Sequence, residues 1–175
     1  RPGRVRSGAG ISLVTAEVAI DVASIYRAHL DYVWASLRRL GAPASDLEDI
    51  AHEVFLVVHR KLGEYDRARP LRPWLFGIAY RVASEHRRKT ARRAQEELED
   101  ELAASDSSSP ERQTVKREAI ALARKALDSI DEEARAVFVL AELDGVAVTD
   151  VAESLSIPVN TAYTRLRRAR LAIAN

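Results

Sequence analysis

The sequence predicts an all-α protein of two small helical domains joined by a flexible linker. Apolar residues recur at three- and four-residue spacing nearly throughout, and no stretch alternates as a half-buried strand would. Glycine and proline cut that pattern into helix-length pieces. Basic charge collects in two blocks, with an acidic, serine-rich tract between them.

Residues 1–15 read as a disordered tail, native or left over from expression, and carry no functional weight. The first domain spans 16–90. Val22, Ile25, Tyr26, His29, Val33, Leu37 and Leu40 trace one face of a helix over 16–40, which Gly41-Ala42-Pro43 ends. A second helix covers Ser45–Leu62, with Ser45 as the expected cap and Glu48 completing a capping box. Its apolar face is Leu47, Ile50, Val54, Val58 and Leu62. Asp49, His52, Glu53 and Leu56 form a second line, which a helix with a purely structural role does not need. After Gly63 comes a polar loop with Pro70 and Pro73, then a third helix carrying Trp74, Leu75, Ile78, Ala79 and Val82 into His86-Arg87-Arg88-Lys89.

Residues 91–109 read as the linker, ending in ASDSSSP, with helical continuation to Leu98 or Leu102 left open. The second domain, 110–175, opens on Ser109-Pro110-Glu111, a cap with proline at the first helical position. Ile120, Leu122, Ala123, Ala126, Leu127 and Ile130 supply the apolar side of its first helix. Asp131 starts another, ended by Asp144-Gly145. A short helix near Thr149–Leu155, the turn Ser156-Ile157-Pro158 and an arginine-rich helix from Val159 complete a helix-turn-helix. On that last helix Val159, Ala162, Leu166, Ala169 and Ile173 should pack inward, with Asn160, Tyr163, Thr164, Arg167 and Arg168 facing out.

Bulk properties exclude several classes. The chain has 175 residues, 47% of them apolar and 30% charged, as in folded soluble proteins. No apolar run approaches the roughly 18–20 residues of a membrane span, so no membrane insertion and a cytoplasmic location are expected. There is no cysteine, and the four histidines lack metal-ligand spacing, so neither a metal nor a cofactor is expected. No phosphate-cradling glycine loop or nucleophile elbow occurs, which argues against an enzyme.

The net charge of +1 conceals strong segregation. Residues 60–93 hold eleven Lys/Arg against three acids, and the last twenty residues hold Arg165, Arg167, Arg168 and Arg170 with no acidic side chain. Tyr65, Trp74, Phe76 and Tyr80 lie among the first block of arginines. Charge that follows a backbone and rings that stack on bases are what single-stranded DNA binding needs. Trp74 and Phe76 fit a core role equally well.

The residues DLEDIAHEVFLVVHRKL and YDRARPLRPWLFGIAYRVASEHRRK resemble the promoter-melting domain of the extracytoplasmic-function sigma factors. DGVAVTDVAESLSIPVNTAYTRLRRAR resembles the domain of that family that reads the upstream promoter element, and the likeness spans about 24–173. The resemblance implies a non-enzymatic factor that binds core RNA polymerase, directs it to promoters and opens the duplex. It places Asp49, His52, Glu53 and Leu56 against the β′ clamp helices, with further contact to the β subunit. His52 stands where the family usually has Gln, and Arg81 where it usually has Asn. The loop 65–73 would capture a flipped base of the −10 element. Tyr65, Arg67, Arg69, Arg72, Trp74, Tyr80, Arg81, Arg87 and Arg88 would form that DNA surface. Asn160, Thr161, Tyr163, Thr164, Arg167 and Arg168 would meet the −35 element, and Arg165 would form an ion pair with Glu142 or Glu153. An anti-sigma factor is an expected partner. The alternative is a stand-alone helix-turn-helix regulator that binds duplex DNA without polymerase.

Overall fold

The computed structural model describes residues 21–98 and 115–174. The expected tail, most of the linker and the Ser109-Pro110 start lie outside them. Helix α1 spans Val22–Arg39, α2 Leu47–Lys61 and α3 Leu71–Leu98, with a single 3₁₀ turn at Leu62–Glu64. Helices α4 (Val115–Asp128), α5 (Glu132–Phe138), α6 (Val148–Ser154) and α7 (Val159–Ala174) follow, and a π-helical turn at Val139–Leu143 extends α5.

Local chemistry sets the ends. Asp21 caps α1 by accepting from the Ser24 amide at 2.6 Å. At its other end Gly41 has φ +85°, and its amide and that of Ala42 donate back to Arg38 and Leu37. This double return is a Schellman cap, which a glycine adopts without penalty. For α2 the expected cap is corrected: Asp46 occupies the cap position without a side-chain cap bond, and the Ser45 hydroxyl bonds to the Asp46 carboxylate instead. Helix α3 tolerates Pro73 because it falls in the first turn, and it runs on to Leu98, past the boundary expected at 91.

The first three helices enclose one core. Val33 and Leu37 of α1, Ile50, Val54 and Val58 of α2, and Leu75 and Ile78 of α3 are all buried there. Phe55 joins them although the expected face omitted it. Tyr26, expected inside, is 45% exposed and lays its ring edge-on to Phe55 at 4.7 Å.

A second core forms from Val137, Val139 and Leu140 with Val151, Leu155 and Leu166. It also takes in Leu40 from the end of α1 and Phe76 from α3, both essentially sealed from solvent. The two domains therefore share packing. Apolar periodicity marks a face on each helix but not which faces meet across the two domains. On α7, Ala162, Leu166 and Ala169 are buried as expected, whereas Val159 and Ile173 are each 39% exposed at its ends. Of the expected α4 face, Ile130 just beyond the helix is buried, Leu127 half-buried and Leu122 exposed.

The π turn carries the Asp144 amide back to the Val139 carbonyl, one residue further than in an α-helix. It ends on Asp144, whose carboxylate accepts from the Tyr32 hydroxyl at 2.7 Å and from Arg39 at 3.1 Å. Burial, and next the bond to Asp144, push the Tyr32 hydroxyl well above its ordinary pKa. Tyr32 is thus a neutral donor at any physiological pH.

Candidate nucleic-acid interface

Asp49, His52, Glu53 and Leu56 are all exposed along one side of α2. Leu56 keeps 45% of its surface in water, and Glu53 makes an exposed 3.4 Å pair with Arg60. Beside them, a shallow groove of about 420 Å³ between α1 and α2 has Leu30 and Trp34 in its walls and Glu48 and Asp49 on its rim. Acidic groups over an apolar floor suit a basic, partly apolar helix.

The loop before α3 is tied by Asp66. Its carboxylate accepts from the Ala68 amide at 3.0 Å and the Arg69 Nε at 3.2 Å, closing an Asx-type turn. The Tyr65 hydroxyl donates to the Arg69 carbonyl, and its ring packs on Trp74 with centroids 4.8 Å apart. Tyr65 and Trp74 are both half-buried, so each presents part of a ring to a cavity of about 630 Å³. Arg69 and Arg81 line the same cavity, while Arg67 is exposed on the loop. Phe76, by contrast, is wholly core.

A second groove, of about 830 Å³, runs along α3 and joins Tyr80, Arg81, Arg88, Lys89 and Arg92 to Glu132 and Glu133 of α5. Two expected members point elsewhere. Arg72 stacks over the Tyr32 ring at 5.3 Å. Arg87 turns inward, donating to the Leu40 carbonyl at 2.8 Å and pairing with Glu132, so its charge is committed to holding the domains together.

Glu132 is a residue the sequence reading missed, and it is the centre of that contact, since the buried Ser84 hydroxyl also donates to it. Burial opposes its ionisation, but the bonds from Ser84 and Arg87 outweigh burial and hold its carboxyl below the ordinary 4.5. A lowered carboxylate pKa stabilises above the ordinary value and loses that effect as pH falls through the lowered one. Glu132→Gln should therefore cost roughly 1–2 kcal/mol at neutral pH, a figure reduced for partial exposure. Thermal melts at pH 7 and in acid should show the difference shrinking as the wild-type carboxyl protonates.

On α7, Asn160, Tyr163, Thr164 and Arg167 are exposed, and Thr161 is half-buried. The Thr164 hydroxyl donates to the Asn160 carbonyl at 2.9 Å, which leaves its oxygen able to accept. Arg168 pairs with Asp131 at 2.7 Å. The partner expected for Arg165 is corrected: it is Glu133, at 2.6 Å, while Glu142 pairs with Arg170 and Glu153 with Arg69. Helix α7 packs along α5, which brings Arg165 to the first turn of α5 rather than to α6.

Comparison with known proteins matches two separate stretches of the chain. The sigma-70 region 2 family matches residues 25–93, and sigma-70 region 4 matches 120–173. The RNA polymerase sigma-H factor of Pseudomonas aeruginosa is 30% identical over 139 residues, covering 74% of this chain and 72% of that protein. The ECF RNA polymerase sigma-E factor of Escherichia coli is 29% identical over 150 residues, covering 81% and 78%. Among solved structures, the sigma factor RpoE of Bartonella quintana, crystallised with the anti-sigma factor NepR, superposes with TM-score 0.68 at 18% identity, covering 86% of this chain and 92% of that one. CnrH, in complex with the cytosolic domain of CnrY, gives TM-score 0.61 at 21% identity, covering 87% and 84%.

Proposed function

The chain belongs to the extracytoplasmic-function group of the sigma-70 family, and from that premise we propose how its surfaces share the work of an RNA polymerase sigma factor. Asp49, His52, Glu53 and Leu56 on α2 take the β′ clamp helices of core polymerase. Tyr65, Arg67, Arg69 and Trp74, with Tyr80, Arg81 and Arg88 further along α3, hold the melted −10 strand. Asn160, Thr161, Tyr163, Thr164 and Arg167 meet the −35 duplex. Arg72, Arg87 and Arg168 act one step back, Arg72 stacked over Tyr32, Arg87 paired with Glu132 and Arg168 with Asp131.

The observation that carries this reading is the order of the two matched regions on one chain, sigma-70 region 2 followed by region 4. A sigma factor is a transcription initiation factor, and no chemical step is assigned to this one. It works where core polymerase works, in the cytoplasm. Among the described residues no helix is long and apolar enough to cross a membrane. The fold shared with a sigma factor solved in complex with an anti-sigma factor supports an anti-sigma factor as a further partner.

Reconstituted run-off transcription tests the proposal. Bacterial core polymerase plus this protein should yield discrete transcripts from a genomic template that core alone does not make. Tight, specific duplex binding without polymerase, and no stimulated transcription with it, would establish the stand-alone helix-turn-helix regulator instead.

A further inference from the structure

We propose that Asn160 selects an adenine in the duplex that α7 enters, while Arg167 holds a phosphate there without regard to sequence. This rests on the assignment of α7 to the −35 duplex under the proposed function, and it names the base that is read. Tyr163, Thr164 and Arg167 lie three, four and seven residues beyond Asn160, so the four form one exposed stripe. The stripe is on the side of α7 away from the buried Ala162, Leu166 and Ala169. Ion pairing separates the arginines of this helix. Arg165 is paired with Glu133, Arg168 with Asp131 and Arg170 with Glu142. Arg167 is exposed and, among the described residues, meets no carboxylate.

The uncharged members of the stripe differ in what they offer a base. The Thr164 hydroxyl donates to the Asn160 backbone carbonyl at 2.9 Å, so toward DNA it can only accept. Tyr163 is 55% exposed and brings a ring with one hydroxyl. Asn160 carries a donor and an acceptor on separate atoms, and its side-chain amide makes no hydrogen bond among the described residues. In the major groove adenine presents an acceptor, N7, beside a donor, the N6 amino group. Guanine presents two acceptors, cytosine a single donor, and thymine a single acceptor beside its methyl. Only adenine meets both halves of the amide. The placement agrees, since Asn160 is the second residue of α7. In a helix-turn-helix the first residues of the second helix reach the base edges. Arg167 lies two turns further on, about 10 Å along the axis, where such a helix meets the backbone. The entry of α7 is fixed by its turn. The Ile157 amide donates to the Ala152 carbonyl at 2.8 Å, and the Ala162 amide to the Pro158 carbonyl at 3.1 Å.

Selection from a randomised duplex library tests the assignment, using the full-length protein both alone and bound to core polymerase. The wild type should enrich duplexes that share an adenine. An analogue with C–H in place of N7 at that position should weaken binding by about tenfold. Asn160→Ala should lose the preference at that position only, and should bind adenine and the analogue alike. Alanine is the better helix former, and the Thr164 bond goes to the main chain, so this variant keeps the helix. Asn160→Arg should move the preference there to guanine, whose two acceptors fit a guanidinium fork. Arg167→Ala should weaken every duplex alike and reduce the slope of log affinity against log salt by about one. The proposal is overturned if Asn160→Ala enriches the same base, if the wild type binds the analogue as well as adenine, or if neither arm enriches any duplex. A base preference that changes with Arg167→Ala overturns it too. Run-off transcription is scored separately. Transcripts together with an unchanged preference in Asn160→Ala sink the adenine contact alone. Enrichment without polymerase, and no transcripts with it, sinks the sigma-factor reading while the contact stands.

Discussion

Reversing the charges of Asp49 and Glu53 together, as D49K and E53K, should weaken binding to core RNA polymerase by on the order of 30-fold or more and remove promoter-dependent transcription. Both carboxylates are exposed, and among the described residues the ion pair they make is the exposed contact of Glu53 with Arg60. Such a pair contributes about 0–1 kcal/mol to the fold, so the melting temperature should hardly move. In a complex the balance inverts. A charge that loses its hydrogen-bonded partner in a desolvated interface costs about 2–5 kcal/mol, which is ~30-fold at the low end. Fluorescence anisotropy with labelled protein and purified core reads this directly. Unchanged affinity with intact circular dichroism would move the polymerase handle to another face.

Phe76→Ala should have the largest effect on stability, about 3–5 kcal/mol, read as a lower urea midpoint. Phe76 is fully buried, and it fills the junction between the N-terminal bundle and the α5–α7 unit. Removing the ring leaves a void that the facing Val137 and Leu140 can close only by shifting the π turn. Against a typical total of 5–15 kcal/mol, that loss is a large fraction. A change under about 1 kcal/mol would mean the two units are not packed together in solution.

Much of this arrangement was legible in the sequence, and the rest was not for identifiable reasons. Helical spacing found α2 and its exposed second line because each helix face is a local property. The helix-turn-helix was readable for the same reason, down to the tight turn at Ser156, although its left-handed backbone (φ +57°) on a non-glycine residue was not. Contacts between distant segments had no local signature. Nothing near Glu132 pointed to Ser84 or Arg87, and nothing near Phe76 pointed to Leu140. The arginine count pointed to a DNA-facing region, but counting could not separate Arg81 and Arg88 in the grooves from Arg72 and Arg87, which serve the fold. The π turn was missed because one extra residue per turn leaves the apolar pattern nearly intact.

Helix α3 is unbroken from Leu71 to Leu98, so it also acts as a ruler. At about 1.5 Å per residue, Trp74 at the end proposed to capture a base and Arg92 at the far end of the basic groove stand roughly 27 Å apart along the axis. Stacked bases rise about 3.4 Å each, so that interval corresponds to roughly eight nucleotides. The spacing is set by backbone hydrogen bonds rather than by side chains. Substitutions along α3 change the side chains it presents, but not that interval. Only gaining or losing a residue within the helix could rescale it, and each such step would also rotate one end relative to the other by about 100°.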